Sequence, residues 1–230
     1  MNKVIVVRHG ERLDEVDAGL WEKMCSSQLS DRNMFSLIND PPLTDPNGIA
    51  MATEAAQSIA SIFHARNIVI DKIYASRLSR AYQTAYPIAQ KLNLPIYISS
   101  KLALTAVAVG RSKGTYEFDT MDVIRSFCSG VSIIDADMED DIPQSLEWSD
   151  SINYITSKER YSLIIAHRET IRNMAEQFVR TPYCCIAMFS KISADHFQLD
   201  EIFHRDASPI IFPEPVPPLS KHESQERDRK

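Results

Sequence analysis

The sequence predicts an α/β protein with three layers, α/β/α, in which helices cover both faces of a mostly parallel central sheet. Two observations support this prediction. Short apolar runs alternate along the chain with longer segments of helical periodicity. The runs at residues 4–7 and 161–166 are almost uninterrupted by polar residues, as buried parallel strands are. A chain of 230 residues, 44% of them hydrophobic, is large enough for one domain with a substantial core.

Six segments have the composition of strands, since apolar β-branched and aromatic residues are bounded there by turn-forming residues. Asp71 interrupts the second segment, and the last two are predicted to be antiparallel. The predicted strands are residues 4–7, 68–75, 96–98, 161–166, 186–189 and 196–199.

Five segments have helical periodicity or composition. Ser76 is a candidate cap for the helix that begins near Ser79. Residues 13–40 have no clear periodicity, so they are predicted to form a loop with short helical turns over the mouth of a site. The predicted helices are residues 49–66, 79–92, 121–127, 146–157 and 170–180.

One domain is predicted for residues 1–212, with an insertion beside the sheet at residues 99–145. The acidic run at residues 135–141 is predicted to be a solvated surface loop, because calcium binding needs a more ordered spacing of ligands. Residues 213–230 are rich in proline and then in charged residues, which predicts a disordered tail.

The composition argues against several classes of function. A formal net charge of -6 and a pI near 5.5 argue against a nucleic-acid partner, since a phosphate backbone would be repelled. No run is long enough to span a bilayer, and Met1 leads almost directly into the first strand, without the pattern of a signal peptide. The four cysteines lack metal-type spacing, and adjacent Cys184 and Cys185 are predicted to belong to a buried element. We therefore expect a reducing, cytoplasmic location, no membrane partner and no structural zinc.

Charged residues follow three of the predicted strands at their carboxyl ends, where ligands bind in open α/β sheets. Arg8, His9 and Arg12 follow the first strand, Arg80 follows the second, and His167 follows the fourth. If these strands are neighbours, two imidazoles and three guanidiniums meet in one pocket. Burying so many cations without an anion is costly, and phosphate fits arginine forks best. The alternative for the first motif is an ordinary strand followed by a charged loop.

Three motifs carry a resemblance to a known family: Arg-His-Gly-Glu at residues 8–11, a spaced block at residues 76–85, and the apolar strand with its histidine at residues 161–167. Through them most of the chain resembles the histidine phosphatase superfamily, which implies a phosphoglycerate mutase-like fold. Arg-Leu-Asp at residues 12–14 and Asp-Pro-Pro-Leu-Thr at residues 40–44 resemble one branch of it. That branch contains the suppressor of T-cell receptor signalling phosphatases and the insect ecdysteroid-phosphate phosphatase.

The resemblance implies that His9 is the nucleophile of a phosphatase and forms a phosphohistidine. It also implies His167 as the second catalytic histidine and Arg8, Arg12 and Arg80 as phosphate-binding residues. These roles are chemically reasonable, because neutral imidazole can attack phosphorus and positive charge stabilises the equatorial oxygens. No cofactor and no metal is implied. The substrate would be a phosphorylated small molecule or a phosphoprotein, and relatives of this branch often form homodimers.

One departure from the family pattern bears on the rate. The family usually supplies a carboxylate general acid after the third strand, but the corresponding position falls near Leu104, and leucine cannot transfer a proton. Losing general acid–base catalysis commonly costs about 100- to 10,000-fold, and alkyl phosphates should suffer more than aryl phosphates. Glu169 is a candidate substitute but equally suits a helix amino terminus. The other candidate substitutes are Glu117, Asp119 and Asp122.

Two readings of the sequence stay open. The first is a phosphomonoesterase of the acid phosphatase or protein tyrosine phosphatase type, with reduced activity. The second is a pseudophosphatase, a catalytically impaired module that binds phosphate or a phosphopeptide. Arg168, where the family has a small residue, could add a phosphate contact or crowd the pocket. A mutase fits less well, because residues 12–14 do not continue as in that branch.

Overall fold

The computed structural model describes residues 2–27, 34–103, 116–139, 148–193 and 196–211. The strands among them are β1 (Lys3–Arg8), β2 (Lys72–Ser76), β3 (Ile96–Ser99), β4 (Ile133–Asp135), β5 (Tyr161–Ala166), β6 (Ile186–Lys191) and β7 (Phe197–Phe203). The helices among them are α1 (Leu13–Val16), α2 (Ala18–Ser27), α3 (Met34–Ile38), α4 (Asn47–Arg66), α5 (Ser79–Leu92), α6 (Met121–Phe127), α7 (Ala136–Glu139), α8 (Trp148–Lys158) and α9 (Arg168–Ala175).

These strands form one sheet in the order β4-β3-β2-β5-β1-β6-β7. The pairs from β4 to β1 are all parallel, whereas β6 is antiparallel to both of its neighbours, β1 and β7. The predicted α/β/α fold with a mostly parallel sheet is thus confirmed, as is the antiparallel pair at its end.

The alternation of side chains along β1 divides the core between the two faces of the sheet. Ile5 and Val7 pack with residues of α4 and α5, whereas Val4 and Val6 pack with residues of α8 and α9. All four side chains are completely buried. Because helices cover both faces, β1 has no polar face, and this explains why its sequence is an uninterrupted apolar run.

The register of the central strands brings the carboxyl ends of β1, β5 and β2 to the same edge of the sheet. Arg8 lies opposite Ala166 in the parallel pair of β1 and β5, so His9 and His167 leave adjacent strands at the same level. Ala75 of β2 lies opposite Ile165 of β5. The loop after β2 therefore begins beside His167.

The prediction of strand at residues 68–70 is wrong. Asn67 adopts a left-handed conformation at the end of α4, and the Ile68 amide donates back to the carbonyl of Phe63. Asp71 then accepts a hydrogen bond from the Tyr161 amide through its carboxylate. Ile68 and Ile70 pack against the core without joining the sheet, whereas Val69 is exposed.

The prediction of an insertion beside the sheet at residues 99–145 is also wrong in part. β4 extends the sheet by pairing with β3, and α6 has the predicted bounds. The acidic run is not simply a solvated loop, since its first five residues end β4 and form α7. Asp137 accepts hydrogen bonds from the hydroxyls of Ser99 and Ser100 and from the Ser100 amide. Residues 104–115 and 140–147 lie outside the described residues.

Two further elements differ from the predictions, and one prediction falls outside the described residues. Residues 13–27 form two helices, and the second, α2, is longer than a helical turn. Helix α9 ends at Ala175 instead of Arg180, because Glu176 adopts a left-handed conformation and its amide donates to the Asn173 carbonyl. The predicted tail at residues 213–230 lies outside the described residues.

Gly48 tests the packing of α4 against the loop that follows β1. A Cβ atom at Gly48 would be 2.6 Å from the carbonyl oxygen of Glu11 and 3.0 Å from Cβ of Leu43. Gly48→Ala must therefore displace backbone next to His9. We expect this variant to lower the free energy of unfolding by about 1–3 kcal/mol, measured by urea denaturation.

Gly19→Ala in α2 is the matched control, because the nearest atom to its added Cβ would be Oδ1 of Asp17 at 3.7 Å. Alanine favours helix, so this variant should keep the stability of the wild type or raise it by up to about 1 kcal/mol. Equal stability of the two variants would contradict the close approach at Gly48.

Candidate active site

Two buried histidines lie together at the carboxyl edge of the sheet. His9 is 4% exposed and His167 is 1% exposed, and their ring centroids are 5.3 Å apart. The amide of His9 donates to the carbonyl of Ala166, which continues the ladder between β1 and β5. The sheet itself therefore fixes the two imidazoles next to each other.

His9 is neutral and presents one free ring nitrogen. Its Nδ1 lies 2.8 Å from the carbonyl oxygen of Gly10, and because a carbonyl oxygen can only accept, Nδ1 carries the proton. The Nε2 atom then keeps its lone pair. Burial lowers the pKa of His9 well below its ordinary value, and the positive charge of Arg80 and the neighbouring His167 lower it further.

Thr84 connects the loop of His9 to α5. The Gly10 amide donates to Oγ1 of Thr84 at 2.9 Å, and the Thr84 hydroxyl donates to the carbonyl of Arg80 at 2.7 Å. On the other side, the Cys184 amide donates to the carbonyl of His9. The backbone on both sides of His9 is thus held by hydrogen bonds from separate elements.

Arg80 reaches the site from the first turn of α5 and is 4% exposed. Its Nη1 lies 3.6 Å from Oδ1 of the buried Asp40. Its Nε atom is buried and has no hydrogen-bond partner among the described residues. A buried guanidinium with an open donor is arranged to receive an anion.

Asp40 also begins the helix that carries Arg80. Its carboxylate accepts hydrogen bonds from the Ser79 amide at 2.7 Å and from the Ser79 hydroxyl at 3.0 Å. A carboxylate at this position satisfies an amide of the first turn, and its negative charge interacts favourably with the positive end of the helix dipole. Ser76, the cap predicted from the sequence, does not cap α5.

Ser76 instead contacts the second histidine. Its Oγ lies 3.0 Å from Nε2 of His167 and accepts a hydrogen bond from the Leu78 amide, so its own hydrogen can donate to Nε2. The Nδ1 atom of His167 is buried without a hydrogen-bond partner among the described residues. Burial lowers the pKa of His167 well below its ordinary value, and the charges of Arg80 and Arg12 lower it further.

Arg8 is held near His9 by Thr181 and Tyr183. Its Nη1 donates to the carbonyl of Thr181 at 2.6 Å, and its guanidinium lies 4.0 Å from the centroid of the Tyr183 ring. The Nε atom of Arg8 is buried and has no hydrogen-bond partner in the described part of the chain. The Tyr183 ring is also 5.9 Å from the His9 ring.

Arg12 is paired with two carboxylates of α1. Its Nε donates to Oδ1 of Asp14 at 2.9 Å, and its Nη2 contacts the other oxygen of that carboxylate. Its Nη1 lies 3.5 Å from Oε1 of Glu15. Burial acts to lower the pKa of Arg12, but the hydrogen bond and the charge of Asp14 raise it overall.

The candidate proton donors are committed to other contacts or are exposed. Glu169 pairs with Arg168 at 2.8 Å; burial acts to raise its pKa, but hydrogen bonds and the charge of Arg168 lower it overall. Asp119 accepts a hydrogen bond from the Tyr82 hydroxyl at 2.7 Å and lies 3.0 Å from the Ser79 hydroxyl, whose one hydrogen it shares with Asp40. The side chains of Glu117 and Asp122 are exposed. Leu104 lies outside the described residues.

The structure brings together the five residues proposed from the sequence: His9, His167, Arg8, Arg12 and Arg80. Among the described residues, no group of three or more His, Cys, Asp or Glu side chains could hold a metal ion. No helix in that part of the chain is long and apolar enough to cross a membrane. Cys184 and Cys185 are both buried, as predicted.

The sequence did not identify three contacts of the site, those of Asp40, Ser76 and Tyr183. Asp40 belongs to the Asp-Pro-Pro-Leu-Thr motif at residues 40–44, but its contact with Ser79 spans 39 residues of sequence. No local pattern encodes such a contact. Tyr183 follows a proline in a segment without periodicity, so its position over Arg8 had no signal in the sequence.

Comparison with known families identifies the class of protein. The model of the histidine phosphatase superfamily (branch 1) matches residues 4–117, a span that includes His9 and Arg80. The chain belongs to the histidine phosphatase superfamily, as its motifs predicted. Membership of this family supports phosphatase activity in general. No curated protein sequence matches the chain.

Solved structures with the same fold include the ecdysone phosphate phosphatase of Bombix mori in complex with tungstate. It has 16% identity and a TM-score of 0.50, over 93% of this chain and 96% of that chain. The protein histidine phosphatase SixA, also with tungstate, has 14% identity and a TM-score of 0.50, over 88% and 97%. A mycobacterial glucosyl-3-phosphoglycerate phosphatase has 15% identity and a TM-score of 0.50, over 87% and 98%. At these identities the likeness is one of fold.

The buried histidines should make stability depend on pH. Folding lowers the pKa of His9 and of His167, so below about pH 6.5 the unfolded chain binds more protons than the folded one. The free energy of unfolding should be highest above this pH and fall as the pH drops through it. The expected slope is up to about 1.4 kcal/mol per pH unit for each histidine, measured by urea denaturation.

His9→Gln should remove about half of that slope, whereas His64→Gln, on an exposed position of α4, should keep it. A stability difference between His9→Gln and wild type that does not change with pH would contradict the lowered pKa of His9.

Asp40→Asn should destabilise the fold, because it removes the carboxylate beside a buried guanidinium. Breaking a buried ion pair on one side costs about 3–5 kcal/mol, and we expect about 3 kcal/mol at the observed separation. Inorganic phosphate should restore part of the loss, since it can act as the counter-ion of Arg80. Thermal unfolding with and without phosphate measures both effects.

Glu54→Gln is the control for Asp40→Asn, because the Glu54 pair with Arg205 is nearly half exposed and should contribute no more than about 1 kcal/mol. Equal losses in the two variants would contradict the role given to Asp40.

Proposed function

We propose that this chain is a phosphomonoesterase that acts through a phosphohistidine at His9. One observation carries the proposal. Neutral His9, with Nε2 free, lies beside Arg80 and His167. The Nε atom of Arg80 and the Nδ1 atom of His167 are buried and have no hydrogen-bond partner among the described residues. A nucleophile is thus surrounded by donors that lack an acceptor. A phosphoryl group supplies the oxygens that these donors need.

The reaction follows from this arrangement. Nε2 of His9 attacks phosphorus, the bond to the ester oxygen breaks, and the alkoxide or phenoxide leaves and takes a proton from water. The proton on Nδ1 stays hydrogen-bonded to the Gly10 carbonyl, so the phosphorylated imidazole is a cation. The negative charge of the transferred phosphoryl group balances that positive charge. Arg8, Arg12, Arg80 and His167 stabilise the charge on the equatorial oxygens. Water then attacks phosphorus, the bond from phosphorus to Nε2 breaks, and phosphate leaves while the proton of the water passes to solvent, which restores neutral His9.

A phosphorylated substrate agrees with the proteins of the same fold. The names of two of them refer to phosphatases of ecdysone phosphate and of glucosyl-3-phosphoglycerate, which are phosphorylated small molecules. The kind of phosphatase, a phosphoprotein substrate, a homodimer and a cytoplasmic location stay predictions from the sequence. The same holds for a reaction without metal.

The candidate carboxylates of the proposed site are engaged in other contacts and do not offer a general acid. Glu169 is held as the anion by Arg168, and the Asp119 carboxylate already accepts a hydrogen bond from Tyr82 and shares the Ser79 hydroxyl with Asp40. Aryl phosphates depend little on protonation of the leaving oxygen, whereas alkyl phosphates depend on it strongly. These committed carboxylates also favour the second candidate, a pseudophosphatase that binds phosphate without rapid turnover.

A comparison of wild type, His9→Ala and Leu104→Glu tests the proposal. We expect wild type to hydrolyse p-nitrophenyl phosphate and to form an acid-labile, base-stable label with a radioactive phosphate donor. His9→Ala should lose both, with a fall of at least about 1,000-fold in kcat/KM. Leu104→Glu should raise the turnover of an alkyl phosphate by about 100-fold or more and that of the aryl phosphate less.

The outcomes separate the two candidates. Thermal stabilisation of wild type by phosphate, with no more turnover or label than in His9→Ala, would support the pseudophosphatase and reject the enzyme. Leu102→Glu would be a poor control because Leu102 is buried. Lys101→Glu serves instead, since it adds a carboxylate nearby without filling the expected acid position, and it should leave the ratio of alkyl to aryl turnover unchanged.

A further inference from the structure

The charges of the candidate site are arranged in two layers. The inner layer consists of the buried His9, His167 and Arg80 and of the partly buried Arg8, whose Nε atom is buried. The outer layer contains carboxylates of α1. The side chain of Asp14 is 23% exposed and that of Glu15 is 47% exposed, whereas that of Arg80 is 5% exposed. We call Asp14 and Glu15 the acidic rim.

Tyr183 connects Glu15 to the inner layer. The Tyr183 hydroxyl donates to the carboxylate of Glu15, and the ring of the same residue lies over Arg8 and near His9. Burial lowers the pKa of Arg8 and of Arg80, whereas the negative charge of Glu15 acts to raise the pKa of Arg8 and that of Asp14 acts to raise the pKa of Arg80. The acidic rim is therefore connected to the residues that would surround the phosphoryl group.

The charges of this region cancel before any substrate binds. The guanidiniums of Arg12 and Arg80 face the carboxylates of Asp14, Glu15 and Asp40, and Arg8 supplies the third positive charge. The outermost pair, Arg168 with Glu169, is neutral by itself. A bound phosphomonoester dianion thus adds two negative charges next to three guanidiniums whose charges these three carboxylates already balance.

The unbalanced charge has a definite location. The phosphoryl group meets the open donors of the inner layer, Nε of Arg80 and Nδ1 of His167. Its charge competes with Asp14 and Glu15 for Arg12. A leaving group with a carboxylate or a second phosphate would bring like charge towards the acidic rim, whereas a cationic leaving group would restore the balance.

We propose that the acidic rim makes this site select phosphomonoesters whose leaving group carries a positive charge, such as an ammonium group a few bonds from the ester oxygen. Glu15 is then a specificity residue that acts on the leaving group, and Asp14 acts on it while orienting Arg12. This inference rests on the proposed phosphomonoesterase function.

Three aryl phosphates of similar phenol acidity provide the test. They are tyramine O-phosphate, with a distal ammonium group, 4-ethylphenyl phosphate, which has no distal charge, and 3-(4-hydroxyphenyl)propionate O-phosphate, with a distal carboxylate. We expect kcat/KM to fall in this order at low ionic strength, with about a tenfold difference between the first and the last. The difference should shrink in high salt.

Glu15→Gln keeps an acceptor for the Tyr183 hydroxyl but removes the charge, so it should reduce the ratio of the cationic to the anionic substrate from about tenfold to about threefold. Glu201→Gln is the matched control. Glu201 is 45% exposed and paired with Arg66 on edge strand β7, so this variant changes the net charge equally and should keep the wild-type ratio.

The results distinguish failure of the inference from failure of the proposed function. Hydrolysis of all three esters at equal rates, a preference for the anionic ester, or equal effects of Glu15→Gln and Glu201→Gln would overturn the selection by charge and leave the phosphomonoesterase standing. Hydrolysis of none of them above the level of His9→Ala would overturn both.

Discussion

The parallel pairing of β1 with β5 is the constraint on which the rest of the site depends. It places His9 and His167 at the same level of adjacent strands, and their backbones have little freedom because the His9 amide continues the ladder to Ala166. A slip by one residue would turn the apolar side chains of β1 from one helical layer to the other. Since both layers fill the core, the register that packs the protein also aligns the two imidazoles.

Burying Arg80 beside these imidazoles determines their chemistry. A cation in the interior needs an anion, and Asp40 supplies one while it also begins α5 through Ser79. The remaining positive charge acts on His9 and His167 and helps to keep both rings neutral. A neutral ring has the lone pair that a nucleophile requires. In the proposed reaction, the arginine that binds phosphate therefore adds to burial in keeping the nucleophile neutral.

How far the sequence could predict this structure depends on how local each signal is. β1 and β5 were predicted within a residue, because burial on both faces leaves an uninterrupted apolar run. The sequence does not predict β4, because three residues are too few for any periodicity. It predicts a strand at residues 68–70, because an apolar run does not distinguish a strand from a packed loop. The contact between Asp40 and Ser79 and the position of Tyr183 over Arg8 arise only from tertiary packing. The motifs found the site, but its charge balance required the fold.

The two layers of charge divide the work of the site between different parts of the chain. The inner residues stand at the ends of the sheet strands and in the first turn of α5, so their geometry is fixed by the core. The acidic rim belongs to α1, a helix of four residues that contributes no buried side chain. Substitution there perturbs the leaving group's surroundings at little cost to the fold, whereas substitution in the inner layer disturbs both packing and charge. Under the proposed selection, Glu15 can therefore change specificity with little effect on packing, whereas Asp14 also orients Arg12, and the same fold can serve different esters.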